Sequence, residues 1–148
     1  AGVLDGNDVL CIAATTAGRI VSATLAPGTR VPAYCTSNGR VLLAALPQEQ
    51  VDQWLEQQQI EPLTPHTITH RERLRIEIAR ARAQGYAMVD QELELGLRTL
   101  AVPIRNLRGD TVAALNVSVH AARMSMSDLQ ERCLPALLQV QAQLRSLL

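Results

Sequence analysis

The chain has 148 residues, 47% of them apolar and only 2% aromatic, with no Phe at all. That is enough for one compact domain over residues 1–148, with a core built from Leu, Val, Ile and Ala. Fourteen basic residues, all Arg, balance fourteen acidic ones. The segment therefore lacks the cationic surplus from which duplex binding draws its affinity, which argues against direct contact with DNA.

Cys11, Cys35 and Cys133 are odd in number and widely spaced among apolar neighbours. They read as mostly buried thiols, outside disulfides, in a reducing cytoplasm. No signal peptide pattern opens the chain, and no apolar run approaches the ~18 residues of a membrane span. The opening AGVLDGNDVLC has no initiator Met and enters a strand almost at once. The expectation is a fragment from which an N-terminal half is missing.

The first third reads as strands. Val9 to Ala14 is a short apolar run, Thr16 to Arg19 a hairpin-type turn, and Ile20 to Leu25 an alternating strand. Ala26-Pro27-Gly28-Thr29 is a turn. A polar loop, Thr36-Ser37-Asn38-Gly39, then enters a short apolar helix capped by Thr36 or Ser37. Pro47 opens a second helix reaching about Gln58, with Val51, Trp54 and Leu55 on one face. Thr69-His70-Arg71-Glu72 matches a capping box. The helix after it carries Leu74, Ile78 and Ala81 and stops at Gly85. Strands follow at Tyr86 to Val89, Leu97 to Ile104 and Thr111 to Val119, the last two separated by a turn at Arg108-Gly109-Asp110. Ser127-x-x-Gln130 is a second capping box, and Pro135 predicts a kink or a late restart in the final helix. Strands, helices, then strands and a helix make an α+β domain, a mostly antiparallel sheet with helices packed on it.

Four features carry chemistry. The loop from Tyr34 to Arg40 sets hydroxyls and a glycine beside the unpaired N–H groups of a helix start, the makings of a carboxylate or phosphate site. The commoner reading of such a stretch is an ordinary cap, with Gly39 allowing close packing. The segment from Val89 to Thr99 holds Asp90, Glu92 and Glu94. Extended, it would put Glu92 and Glu94 on one face as paired carboxylates, although solvated acids are the simpler reading. Arg98 enters an apolar strand and needs an anion, either a protein carboxylate or a ligand. Asn116 and Ser118 project from one face of a strand, lining a pocket or satisfied locally.

Enzyme signatures are lacking. Cys35 has no evident His partner. His66 and His70 are four apart but straddle a helix start, and there is no HExxH, CxxC, P-loop or GxGxxG. No metal or cofactor is expected.

Several blocks in order resemble the effector-binding domain of IclR-type bacterial transcriptional regulators. They are Pro27-Gly28-Thr29-Arg30-Val31-Pro32, Thr36 through Ala44, Pro65 through Thr69, Arg82 through Ala87, Glu92 through Arg98, Ala101-Val102-Pro103-Ile104 and Ala113 through Ser118. The Tyr-Cys-Thr-Ser-Asn-Gly-Arg stretch is similar to the branch controlling aromatic acid catabolism through protocatechuate and β-ketoadipate. The resemblance implies a GAF/profilin-like fold, a winged helix-turn-helix DNA-binding domain upstream, homodimers or homotetramers, and a small carboxylate effector. The implied ligand-binding residues are Thr36, Ser37, Asn38 and Gly39 on the loop, Val89, Leu97 and Thr99 opposite, and Asn116 and Ser118 on the strand. Arg98 would add charge or brace Glu92. The sequence thus reads as the sensor of a regulator and not as an enzyme. Its rivals are a small thiol-dependent hydrolase using Cys35 and a ligand-free oligomerisation domain.

Overall fold

The structure is a computed structural model and describes residues 1–15 and 26–148. The turn expected at Thr16 to Arg19 and the strand at Ile20 to Leu25 lie outside the described residues.

The chain opens with a hairpin, β1 (Gly2–Asp5) and β2 (Asp8–Cys11), with Asp5 facing Asp8 across a two-residue loop. Gly6 supplies the left-handed residue of that loop at φ 63, as a tight hairpin demands. The apolar run from Val9 ends as a strand at Cys11, short of the expected Ala14. A three-residue strand that the sequence did not announce, β3 (Arg30–Pro32), pairs with β2. Helices α1 (Ser37–Ala44), α2 (Gln48–Gln57) and α3 (Arg71–Gln84) follow. Strands β4 (Ala87–Asp90), β5 (Leu97–Arg105) and β6 (Thr111–His120) and helix α4 (Met126–Arg145) complete the order. None of these helices is long and apolar enough to cross a membrane.

Among the described residues the strands form one six-stranded sheet in the order β3-β2-β1-β6-β5-β4, antiparallel at every pairing. This is the expected α+β architecture. Helix α1 lies against the sheet, touching β1, β4, β5 and β6, with α3 packed on its outer side. The main core gathers Leu43, Val51, Leu55, Leu74, Ile78 and the small residues Ala87, Ala101 and Ala114. Small side chains on the strands let α1 approach closely. On β5, Leu100, Val102 and Ile104 alternate with these and are buried apart from the main cluster. They fall on the side where α4 packs with its fully buried Leu129. With period two, β5 thus serves both layers.

Neither expected capping box forms. His70 is the N-cap of α3, with no side-chain hydrogen bond, so Thr69 sits one residue too early. Helix α4 is capped by Ser125, whose hydroxyl accepts from Asp128 N at 3.1 Å, not by Ser127. It runs through Pro135 as a single helix without a restart. Pro47 is the N-cap of α2 and not its first helical residue. Gly85 ends α3 at φ 83, as its position predicts.

Candidate functional site

The site is built where the start of α1 meets the sheet. Thr36 caps the helix in an extended conformation, its Oγ1 accepting from Gly39 N at 3.2 Å. Its own hydroxyl donates to Pro32 O at 3.0 Å, which ties the cap to the end of β3. The first intrahelical bond is Arg40 N to Thr36 O. The N–H groups of Ser37 and Asn38 therefore stand ahead of the helical ladder, at the positive end of the helix.

Opposite that end, strand register sets the wall. Val89 faces Thr99, and Thr99 faces Ser118, so three adjacent strands contribute one row. Leu97 and Asn116 lie two residues along their strands and share that face. Between helix and row lies a cavity open on one side. Its lining includes Thr36, Ser37, Asn38, Val89, Leu97, Thr99, Asn116 and Ser118, together with Val31, Cys35 and Leu93. Among the described residues no charged side chain lines it.

A short hydrogen-bond ladder crosses the cavity. Asn38 Nδ2 donates to Asn116 Oδ1 at 3.1 Å, and Asn116 Nδ2 donates to Ser118 Oγ at 3.3 Å. Two lining atoms, Asn38 Oδ1 and Thr99 Oγ1, are buried without a protein partner. Buried polar atoms are nearly always satisfied, so these two mark positions for water or a ligand.

Two residues expected in the site lie outside it. A Cβ on Gly39 would come 2.0 Å from Ala33 O and 2.5 Å from Ala33 Cα. Gly39 lets α1 seat on the Ala33 backbone and does not line the cavity. Arg98 is also absent from the lining. Its Nε donates to Asp90 Oδ1 at 2.8 Å, and its Nη1 to Met124 O at 2.8 Å and Ala121 O at 3.2 Å. It braces the turn into α4 and does not touch Glu92. The reason is alternation: with Leu97 and Thr99 facing the cavity, Arg98 must face away.

Glu92 overturns the reading of a solvated acid. It is 5% exposed and accepts from Arg40 Nη2 at 2.6 Å and from Ile68 N at 3.1 Å. Arg40 is 2% exposed and also donates to Tyr34 O. Thr67 Oγ1 donates to Glu92 O, and Thr64 Oγ1 to Gln91 O, each at 2.6 Å. These contacts pin the loop between β4 and β5, which places Leu93 in the cavity wall. Glu94 is exposed, so Glu92 and Glu94 are not paired carboxylates.

Cys35 lines the cavity but is a poor nucleophile. Burial, with Glu92 nearby, pushes its thiol up to about 12 against the weaker pull of Arg40. Cys11 and Cys133 are half-buried, so Cys35 alone fits the expectation of a buried thiol. His70 begins α3, and no cluster of metal-ligating side chains occurs among the described residues.

The chain is 46% identical to the Pca regulon regulatory protein of Pseudomonas putida, covering 91% of this chain and 47% of that protein. Its fold matches the inducer-binding domain of the PobR transcription factor from Acinetobacter, a double mutant in complex with 3-hydroxybenzoic acid. The TM-score is 0.91 at 33% identity, covering 99% of this chain and 86% of that one. It also matches an IclR homologue from Microbacterium hydrocarbonoxydans complexed with 4-hydroxybenzoate, with TM-score 0.84, 28% identity and coverage of 98% and 57%. The chain spans about half the length of the curated relatives it matches. The model of the bacterial transcriptional regulator IclR C-terminal family matches residues 1–145. The chain belongs to that family.

Proposed function

We propose that this domain senses a small organic acid of the hydroxybenzoate class and passes the signal to a DNA-binding domain upstream. The observation that carries this reading is the pair of buried, unpartnered oxygens, Asn38 Oδ1 and Thr99 Oγ1, on residues lining a cavity of mixed polar and apolar residues at a helix start. The ligand carboxylate is received at the N–H groups of Ser37 and Asn38, where the helix dipole favours negative charge. Thr99, Asn116 and Ser118 orient its polar remainder, and Val31, Val89, Leu93 and Leu97 hold the ring. Gly39 shapes the helix start from behind. The hydroxybenzoates bound by two structural relatives support the ligand class.

In this reading the protein acts in the cytoplasm as a homodimer or homotetramer, contacts DNA only through a winged helix-turn-helix, and catalyses no reaction. Cys35 argues for the last point, since a thiol held near 12 carries almost no thiolate at neutral pH. A ligand changes gene expression only if it prefers one arrangement of the domains over another.

A thermal shift screen tests the proposal with 3- and 4-hydroxybenzoate, protocatechuate and β-ketoadipate. At one hundred times Kd a bound acid adds about 2.7 kcal/mol of stability. An unchanged Tm with every acid at millimolar concentration would instead favour a ligand-free oligomerisation domain. Ester hydrolysis lost in Cys35→Ala would favour a thiol enzyme.

A further inference from the structure

The ladder from Asn38 through Asn116 to Ser118 is nearly symmetric in chemistry. As it stands, each amide donates toward Ser118, and Asn38, a lining residue, keeps its acceptor Oδ1 buried and unpartnered. Turn both amides over and the same two hydrogen bonds form in the opposite sense. Ser118 Oγ then donates to Asn116 Oδ1, Asn116 Nδ2 donates to Asn38 Oδ1, and Asn38 shows the cavity a donor, Nδ2. The serine hydroxyl makes this feasible because it donates or accepts by rotation about one bond. The count of hydrogen bonds is the same in both directions, so a small external bias decides between them.

An anion supplies that bias. Among the described residues the cavity has no cationic lining residue, so a carboxylate there depends on neutral donors: the helix-start N–H groups and the hydroxyls. Against a carboxylate at the start of α1, the resting ladder sets an acceptor lone pair, and the reversed ladder sets an N–H.

We infer that an anionic ligand reverses the Asn38–Asn116–Ser118 ladder, making Asn116 and Ser118 the residues that set the polarity Asn38 offers. This rests on the reading of the cavity as a carboxylate site. The pocket then accepts an acid without a buried cation, and Ser118 changes from acceptor to donor on binding. Because Ser118 stands opposite Thr99 in register, the reversal also redirects the hydroxyl beside the unpartnered Thr99 Oγ1.

Side-chain amide NMR on the wild-type protein tests this. The chain has four asparagines, Asn7, Asn38, Asn106 and Asn116, so selective ¹⁵N-asparagine labelling leaves a sparse spectrum. In the free protein the Asn116 amide protons should show NOEs to the Ser118 methylene. On saturation with 4-hydroxybenzoate these should fade, and NOEs from the same protons to the Asn38 methylene should appear. Neutral 4-hydroxybenzamide, whose own N–H can donate to Asn38 Oδ1, should leave the resting pattern in place. Asn116–Ser118 NOEs that persist with the bound acid would overturn the inference, as would reversal by the amide. A titration in which neither the Asn38 nor the Asn116 resonances move would overturn the carboxylate site itself.

Discussion

Thr99 Oγ1 stands opposite Ser118 in strand register yet has no hydrogen-bond partner, although its residue is 91% buried. An unsatisfied buried hydroxyl costs about 1–3 kcal/mol, so its presence in a stable sheet points to use. Thr99→Val replaces that hydroxyl with a methyl group. The ligand-free domain should keep its stability or gain about 1 kcal/mol. Binding of hydroxybenzoate should weaken about two- to tenfold, the loss of one hydrogen bond. Urea denaturation and calorimetric titration measure the two sides.

Arg98 should behave in the opposite way. It joins β5 to Asp90 and to two carbonyls at the entry to α4 but does not border the cavity. Arg98→Gln should cost about 1–3 kcal/mol of stability, since charge-assisted bonds are lost. Ligand affinity under folding conditions should stay within about twofold of wild type. A binding loss larger than the stability loss explains would place Arg98 at the ligand.

The same pair sets an acid limb. Burial alone would raise the Asp90 pKa, but hydrogen bonds from Arg98 and Gln91, with the charges of Arg98 and His66, bring it below the ordinary value. A carboxyl with a depressed folded pKa contributes stability that is present above its unfolded pKa, about 3.9, and lost as pH falls through the folded value. Below about pH 4 wild type should lose stability more steeply than Asp90→Asn. Denaturation midpoints from pH 6 to pH 2.5 report the slope.

Cys35 titrates at the other end of the scale. Its pKa is raised by burial and by Glu92, to about 12. The unfolded thiol loses its proton first, near pH 8.5, so the stability contributed by the protonated folded thiol declines as pH rises from about 9 toward 12. Iodoacetamide at pH 8 should label Cys133 well before Cys35, and bound acid should slow Cys35 further. Peptide mapping by mass spectrometry gives both rates.

Glu92 and Arg40 form a fully enclosed ion pair. Removing one partner strands the other charge, so Glu92→Gln should destabilise by about 3–5 kcal/mol. The double variant Arg40→Met, Glu92→Leu should recover part of that loss, because no buried charge remains.

Where local rules governed, the sequence was readable. The two-residue spacing of Asn116 and Ser118 foretold their shared face, and Thr36 before a small-residue helix start foretold the cap. Of the two readings of Arg98, the protein carboxylate holds, with Asp90 as partner and not Glu92; the ligand contact fails because a strand that turns Leu97 and Thr99 toward a cavity turns Arg98 away. Glu92 was illegible for a different reason. Its burial depends on a left-handed Gln91, at φ 59, and on partners at Thr67, Ile68 and Arg40, all distant in sequence. The cap of α4 fell to Ser125 over Ser127 because both offer the same hydroxyl and only the helix entry decides.

The hairpin that opens the chain sits in the middle of the sheet, with β1 against β6 and Gly2 opposite Ala114. An emerging chain therefore holds its first strand open-edged until β6 has been made. Such distant pairing slows folding, and the exposed edges of β1 and β6 invite wrong partners meanwhile. Synthesis halted before Thr111 leaves two half-sheets, β3-β2-β1 and β5-β4, with α1 against both and no strand between them. The wall opposite Thr36 then holds Val89, Leu97 and Thr99 but lacks Asn116 and Ser118, so the polar ladder of the pocket comes into being only with β6.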